Sequence, residues 1–299
     1  MRAIFQWKIG TRVLELGRRT LIMGIVNVTP DSFSDGGQYI DASKAVAHAE
    51  KLLDEGAAII DVGGESTRPG TVTDGKGTAG SGAVSEEEEK KRVLPVIRDL
   101  KKRRPESVVS VDTYKAGVAR AAIGEGAEIV NDISGFRWDS KIAKTIAELK
   151  VGAVLMHSRG KPEEWKNLPP IGDPVLTVKR ELRQWAEAAT LAGIKRDYLV
   201  LDPGFGFGKK MEENYPLLAH FAELQLMGFP LLAGVSRKSF LGRALAHDGK
   251  DAVVEERGFG TLAAETILIL KGAHILRTHD VRQAVEAARV ADTIVASGG

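Results

Sequence analysis

The sequence predicts an α/β protein folded as a (β/α)8 TIM barrel that is preceded by an N-terminal β-hairpin. Eight short apolar runs recur along the chain: LIMGIVNV (21–28), AIIDVGG (58–64), VVSVDT (108–113), EIVNDIS (128–134), GAVLMH (152–157), YLVLDPG (198–204), PLLAGVS (230–236) and AHILRTH (273–279). Continuous apolar runs of this length mark strands buried on both faces, as parallel sheets require. Segments of helical spacing separate them, and eight strand–helix units in series favour a closed barrel over an open doubly wound sheet. The open alternative would place G-x-G-x-x-G directly after the first strand, where NVTPDSFSDGG stands instead.

The hairpin, over residues 1–18, is read from the alternation of Ile4, Phe5, Trp7 and Ile9 with Val13, Leu14 and Leu16 around Gly10 and Thr11. SKAVAHAEKLLDEG supplies a helix with Ala45, Val46, Ala49, Leu52 and Leu53 on one face and a stop at Gly56. SEEEEKKRVLPVIRDLKK is acidic in its first turn and basic in its last, as the helix dipole prefers. DVRQAVEAARVADTIVA is the final helix. Barrels of this kind run longer than the usual domain, so residues 1–299 are read as one domain. TVTDGKGTAGSGA (71–83), rich in Gly, Thr and Ser, reads as a flexible loop and not as a boundary.

Composition narrows the function. Hydrophobic residues make up 43% of the chain, enough for a sizeable core. Against 42 basic residues stand 40 acidic ones, a net charge of +2, which leaves no field for nucleic acid or an anionic membrane. An anionic ligand must therefore be held by a local cluster. Cysteine is absent, which excludes disulfides, thiol nucleophiles and thiolate metal sites and suits a reducing cytoplasm. The N-terminus lacks a signal-peptide core, and no run approaches the roughly 18 apolar residues of a membrane span. A cytoplasmic protein with small-molecule partners is expected.

In such a barrel the site forms at the C-terminal strand ends. Those ends carry Asn27, Asp61, Asp112, Asn131, Asp132, His157, Asp202, Ser236, Arg237, Lys238, Arg277 and His279. A capping role, common for Asp and Asn at such positions, is read for Asp61, Asp132 or Asp280. Asp112, Asn131 and Asp202 suit a planar heterocycle with several N–H donors, because a carboxylate accepts two parallel N–H bonds from an amidine-like edge. Arg68, Arg237, Lys238, Arg277 and His279 point to an anion such as phosphate, and SRKS (236–239) adds backbone N–H groups where the seventh strand turns into a helix. TPDSFSDGGQY (29–39) and GESTRPG (64–70) read as lids over the barrel mouth. GFGFGKK (204–210) lacks Walker A spacing, and no HExxH or zinc-spaced histidines occur. His48, His220, His247 and His274 are read as structural. His157 is open between a buried structural histidine and a ligand. His279 shares a strand face with Arg277, two residues before it, and is read as functional.

The segments GIVNVTPDSFSDGG (24–37), DVGGESTRPG (61–70), SVDT (110–113), NDISG (131–135), MHSRGKP (156–162), DPGFGFGK (202–209), GVSRKSFLG (234–242) and RTHDV (277–281), in this order, resemble the dihydropteroate synthases of the pterin-binding barrel family. The resemblance covers nearly all of the chain after the hairpin. It implies condensation of p-aminobenzoate with 6-hydroxymethyl-7,8-dihydropterin diphosphate, giving 7,8-dihydropteroate and diphosphate. It implies a pterin pocket of Asp112, Asn131, Asp202, Met156, Phe207, Lys238 and Arg277, and a diphosphate pocket of Asn27, Thr67, Arg68, Arg277 and His279. It implies a p-aminobenzoate site among Phe33, Thr67, Pro69, Phe207, Lys238 and Ser239. Lys238, Arg277, His279, Asp31 and Arg68 would act in the reaction. Mg²⁺ would ride on the diphosphate with Asn27 as its protein ligand, and the family is usually a homodimer. A dissociative substitution is expected, because an arylamine is already nucleophilic at neutral pH and loss of diphosphate is the difficult step. The chain departs from the family pattern at 71–83, which lengthens the second lid, and at MHSRGKPEEW, with Trp165 where the family often has Met. A pterin-barrel methyltransferase that uses methyltetrahydrofolate would not need the first lid, SRKS or the Arg/His pocket, and a non-catalytic pterin-binding protein would have lost charges that are present here.

Overall fold

The computed structural model of the protein describes residues 2–28, 38–65 and 84–298. Strands β1 (Phe5–Ile9) and β2 (Arg12–Leu16) pair antiparallel, with Gly10 at φ +64° in the turn between them. Eight parallel strands follow: β3 (Leu21–Asn27), β4 (Ile59–Gly63), β5 (Val109–Asp112), β6 (Ile129–Asp132), β7 (Gly152–Met156), β8 (Leu199–Asp202), β9 (Leu232–Ala233) and β10 (Ile275–Thr278). Their order is β8-β7-β6-β5-β4-β3-β10-β9. The Leu201 N–H, donating to the Pro230 carbonyl at 3.0 Å, and a parallel bridge between Leu201 and Leu231 bring the two ends together. Each predicted run supplies one strand.

The seventh run yields only two strand residues, β9. Pro230 has no N–H to donate, and the Leu231 N–H goes to the His274 Nδ1 at 3.1 Å. His274 Nε2 donates in turn to the Ala3 carbonyl at 3.1 Å, and burial holds its pKa down at about 4, so the structural reading of this histidine stands.

Helices α1 (Gln38–Asp54), α2 (Glu86–Arg103), α3 (Ala116–Gly124), α4 (Ile142–Leu149), α5 (Pro174–Leu191), α6 (Asn214–Ala219), α7 (Ser239–Ala244), α8 (Gly258–Leu270) and α9 (Val281–Ser297) surround the strands. The Ser85 Oγ accepts from the Glu88 N–H at 3.2 Å and caps α2. Helix α1 begins at Gln38, inside the segment read as the first lid. None of these helices is long and apolar enough to cross a membrane.

Two buried clusters make the core. One lies between the strands and the helices and includes Val26, Ile60, Val111, Val130, Leu155 and Leu276. The other fills the lower barrel with Met23, Ile59, Val108, Ile129, Val154, Val200, Leu232 and Ile275, and Trp7, Ile9 and Leu16 of the hairpin close it from below. The Trp7 indole N–H donates to the Tyr198 carbonyl at 2.8 Å. Successive residues on a strand face opposite sides. Two residues above that apolar layer the inward positions are therefore Ile25, Asp61, Ser110, Asn131, Met156, Asp202, Gly234 and Arg277. The barrel is apolar and plugged at one end, polar at the other.

Candidate active site

A cavity of about 350 Å³ opens at the polar end, lined by Asn27, Asp112, Asn131, Met156, Asp202, Phe207, Lys238, Ser239, Arg277 and His279, together with Ile25, Glu65, Ile133 and Trp165. The structure thus brings together every expected pocket residue that it describes. Asp31, Phe33, Thr67, Arg68, Pro69 and the 71–83 insertion lie outside the described residues.

Arg277 sits at the centre. Its Nε donates to Asp61 Oδ2 at 2.6 Å and its Nη2 to Asp112 Oδ2 at 2.7 Å. Asp61 also accepts from Asn131 Nδ2 at 2.9 Å. The capping role read for Asp61 is therefore corrected: its fully buried carboxylate orients Arg277 and Asn131. The expected acidic and cationic sides form one network, because strands β4, β5, β6 and β10 point these side chains at the same axis. The sequence marks Asp61 only as another acid near a strand end, and no local pattern separates it from a cap.

Burial raises both pocket carboxyls. Asp112 is pushed up to about 7, with the Arg277 charge opposing the shift, and Asp202 to about 6, with the Gly204 N–H and the Lys238 charge opposing it. The Gly204 N–H donates to Asp202 Oδ1 at 2.7 Å. Gly204 is at φ +63°, and a Cβ there would stand 1.9 Å from the His157 carbonyl oxygen, so this turn admits only glycine.

Lys238 lies with its ammonium 4.0 Å from the Phe207 ring centre, and Trp165 meets Phe207 edge-on at 5.4 Å. His279 Nδ1 lies 2.9 Å from Ser236 Oγ, which also accepts from the His279 N–H at 3.2 Å. Ser239 opens α7 and is exposed at the mouth.

Three other readings change. The Asp280 carboxylate takes the Arg237 guanidinium at 2.6 Å and makes no side-chain cap on α9, so Arg237 lines the cavity with its charge already committed. Asp132 accepts from the Ser134 N–H at 2.5 Å in a turn, and burial pushes it up to about 7. His157, fully buried behind the cavity, lies between Glu181 and Lys209 and contacts no ligand space. No group of three or more His, Asp or Glu residues able to hold a metal occurs among the described residues.

A ring of carboxylates, amide, guanidinium and imidazole at the top of a closed parallel barrel defines a class, and comparison with known proteins agrees with it: the family model described as pterin binding enzyme matches residues 23–279. The dihydropteroate synthase of Clostridium beijerinckii is 44% identical over 289 residues, 96% of this chain and 99% of that one. The Xanthomonas albilineans dihydropteroate synthase solved with 4-aminobenzoic acid superposes with a TM-score of 0.86 at 41% identity, covering 98% of this chain and 99% of the other. The same enzyme in complex with 7,8-dihydropteroate gives 0.82 at 39% identity, over 97% of this chain and 99% of the other. The chain belongs to the dihydropteroate synthases of the pterin-binding enzyme family.

Proposed function

We propose that the cavity joins p-aminobenzoate to 6-hydroxymethyl-7,8-dihydropterin diphosphate by dissociative substitution, releasing diphosphate and 7,8-dihydropteroate. The observation that carries the reading is the single pocket in which Asp112, Asn131 and Asp202 adjoin Arg277, Lys238 and His279. The relatives crystallised with 4-aminobenzoic acid and 7,8-dihydropteroate support both ends of the reaction.

Asp202 accepts from the amidine-like edge of the pterin, and Asp112 and Asn131 hold the opposite edge. Asp61 engages Asn131 Nδ2 and so orients that amide. Lys238 donates to the ring carbonyl and a ring nitrogen, Met156 and Phe207 pack on the ring, and Arg277 lies against its face. Arg277, His279, Asn27, Thr67 and Arg68 receive the diphosphate. The p-aminobenzoate lies nearer the mouth, among Phe33, Thr67, Pro69, Phe207, Lys238 and Ser239. The arylamine needs no general base. The C–O bond breaks first, the pterin ring delocalises the positive charge, and the preset cations stabilise the departing anion. Asp31 and Arg68, which lie outside the described residues, would by the family resemblance help to exclude water from the reaction.

The donor set fits Mg²⁺ carried by the substrate. Asn27 lines the cavity, its amide is an oxygen donor of the kind Mg²⁺ takes, and among the described residues no cluster of three or more carboxylates or histidines forms an all-protein cage. Asn27 would hold the ion, whose charge would add to that of Arg277 on the diphosphate. We further propose a homodimer. Phe259, Ile267 and Leu270 repeat along one face of α8, Val290 and Ile294 follow on α9, and Phe259 is 90% exposed. An apolar stripe of this kind marks an interface. The cysteine-free composition supports a cytoplasmic location.

The test mixes the protein with pterin diphosphate, Mg²⁺ and p-aminobenzoate and looks for dihydropteroate. Pterin binding without product would favour a silent binder, and methyl release from methyltetrahydrofolate would favour the methyltransferase. Either result with a folded, metal-replete sample overturns the proposal.

A further inference from the structure

The turn after β8 delivers Asp202 and Phe207 to the cavity, and its support lies behind it. The Lys209 side chain points away from the cavity and is 8% exposed. Its ammonium donates to the Gly204 carbonyl at 2.7 Å, lies 2.9 Å from His157 Nδ1, and stands 3.4 Å from both the His157 and Phe207 carbonyls. An ammonium has three N–H donors, and four acceptors surround this one: the Gly204 carbonyl, the His157 imidazole nitrogen and the two carbonyls at 3.4 Å.

The imidazole is itself fixed. It stacks on Trp185 with centroids 5.0 Å apart and planes 9° from parallel, and its Nε2 lies 3.1 Å from Glu181 Oε2 on α5. Because Nδ1 faces an ammonium, the proton belongs on Nε2 and is donated to Glu181. Burial, reinforced by the Lys209 charge, holds the His157 pKa at about 3, so the ring stays neutral and keeps Nδ1 as an acceptor. Arg137 covers Trp185, its guanidinium 3.8 Å from the ring.

A buried ammonium is a poor device for stability alone, since apolar packing of the same volume often does as well. Burial pulls Lys209 down to about 7 against the attraction of Asp202. What this arrangement supplies is geometry, through bonds to the Gly204 and Phe207 carbonyls of the turn that follows Asp202, tied on the other side to His157. We propose that Lys209 is a positioning residue, which with His157 and Glu181 fixes the 203–208 turn so that the Asp202 carboxylate and the Phe207 ring meet the pterin, while itself touching no substrate. This rests on the reading of the cavity as a pterin site.

The experiment compares Lys209→Met and Glu181→Gln with wild type and with Asp202→Asn, by steady-state kinetics for both substrates and by calorimetry with 6-hydroxymethylpterin. Loss of the bonds made by the ammonium predicts for Lys209→Met a rise in the pterin KM and Kd of about tenfold or more, with kcat changed less than about threefold. Glu181 is partly exposed and its isosteric variant keeps the fold. Glu181→Gln should move pterin KM and Kd the same way by about threefold, which carries the test if Lys209→Met does not fold. Pterin KM and Kd within twofold of wild type in the folded variants would overturn the positioning role, as would a fall in kcat that merely tracks the folded fraction. Asp202→Asn separates the two readings: if it binds pterin as wild type does, the pterin assignment itself falls.

Discussion

At the scale of residues, the site is a set of carboxyls with raised pKa values held around one guanidinium. On protonation Asp112, at about 7, and Asp202, at about 6, keep one accepting oxygen but lose their charge and the second acceptor that a paired N–H edge needs. Pterin affinity should therefore weaken as pH falls from above 7 to 5, because bound protons compete with the N–H edge. Calorimetry across that range checks this, and a flat profile would contradict it. Asp202→Asn should weaken pterin binding by about 2 kcal/mol, roughly thirtyfold, as expected for removing a charged acceptor. Glu265 offers a separate test. It is buried on α8, its Oε1 has no hydrogen-bond partner among the described residues, and burial pushes its pKa up to about 8 against a hydrogen bond with Thr278. A folded pKa above the ordinary 4.5 means that the protonated form stabilises the fold and that this contribution fades as pH rises through about 8. Glu265→Gln should match wild type in Tm near pH 4, below the ordinary 4.5 where both states hold the proton, and exceed it near pH 9. An equal gap at both pH values would show that ionisation plays no part.

At the scale of elements, the hairpin is a plug and the β8 turn is a mount. Gly152 opens β7 under the hairpin, and a Cβ there would stand 2.5 Å from Ile9 Cγ2 and 3.2 Å from Trp7 Cζ2. Gly152→Ala should therefore cost about 1–3 kcal/mol by overpacking, seen as a lower Tm and a shifted Trp7 signal. The kcat of the folded fraction should be unchanged, because the substitution lies at the opposite end of the barrel from the cavity. Each inward column repeats one plan along its strand: Val200 below and Asp202 above, Ile129 and Asn131, Ile275 and Arg277. Those columns were legible from alternation once the eight strands were placed. The brevity of β9 was not, since it depends on an imidazole from the neighbouring strand taking the Leu231 N–H.

At the scale of the whole molecule, α8 and α9 present an exposed apolar face among the described residues. Phe259 on α8 and Ile294 on α9 are exposed, at 90% and 56%. The double variant Phe259→Lys/Ile294→Lys should convert a dimer to a monomer by light scattering, since two charges at the centre of an interface leave ions without water or partners. A wild-type monomer would remove the dimer proposal.

By itself the sequence determined the barrel, its hairpin, the eight strand ends and the family, because strand periodicity and motif order are local properties of the chain. Only the tertiary structure decided which groups face one another. Arg277 meets Asp112 and Asp61 from 165 and 216 residues away, and Lys209 meets His157 from 52. Local spacing carries no information about such pairs. They arise when closure of the barrel points alternate side chains at one axis, where burial makes an unpaired charge too costly to keep. For that reason Asp61 resembles a cap in the sequence alone, His157 is open between two roles and Lys209 is only one residue of a glycine-rich run, whereas the closed barrel supplies the partners of all three.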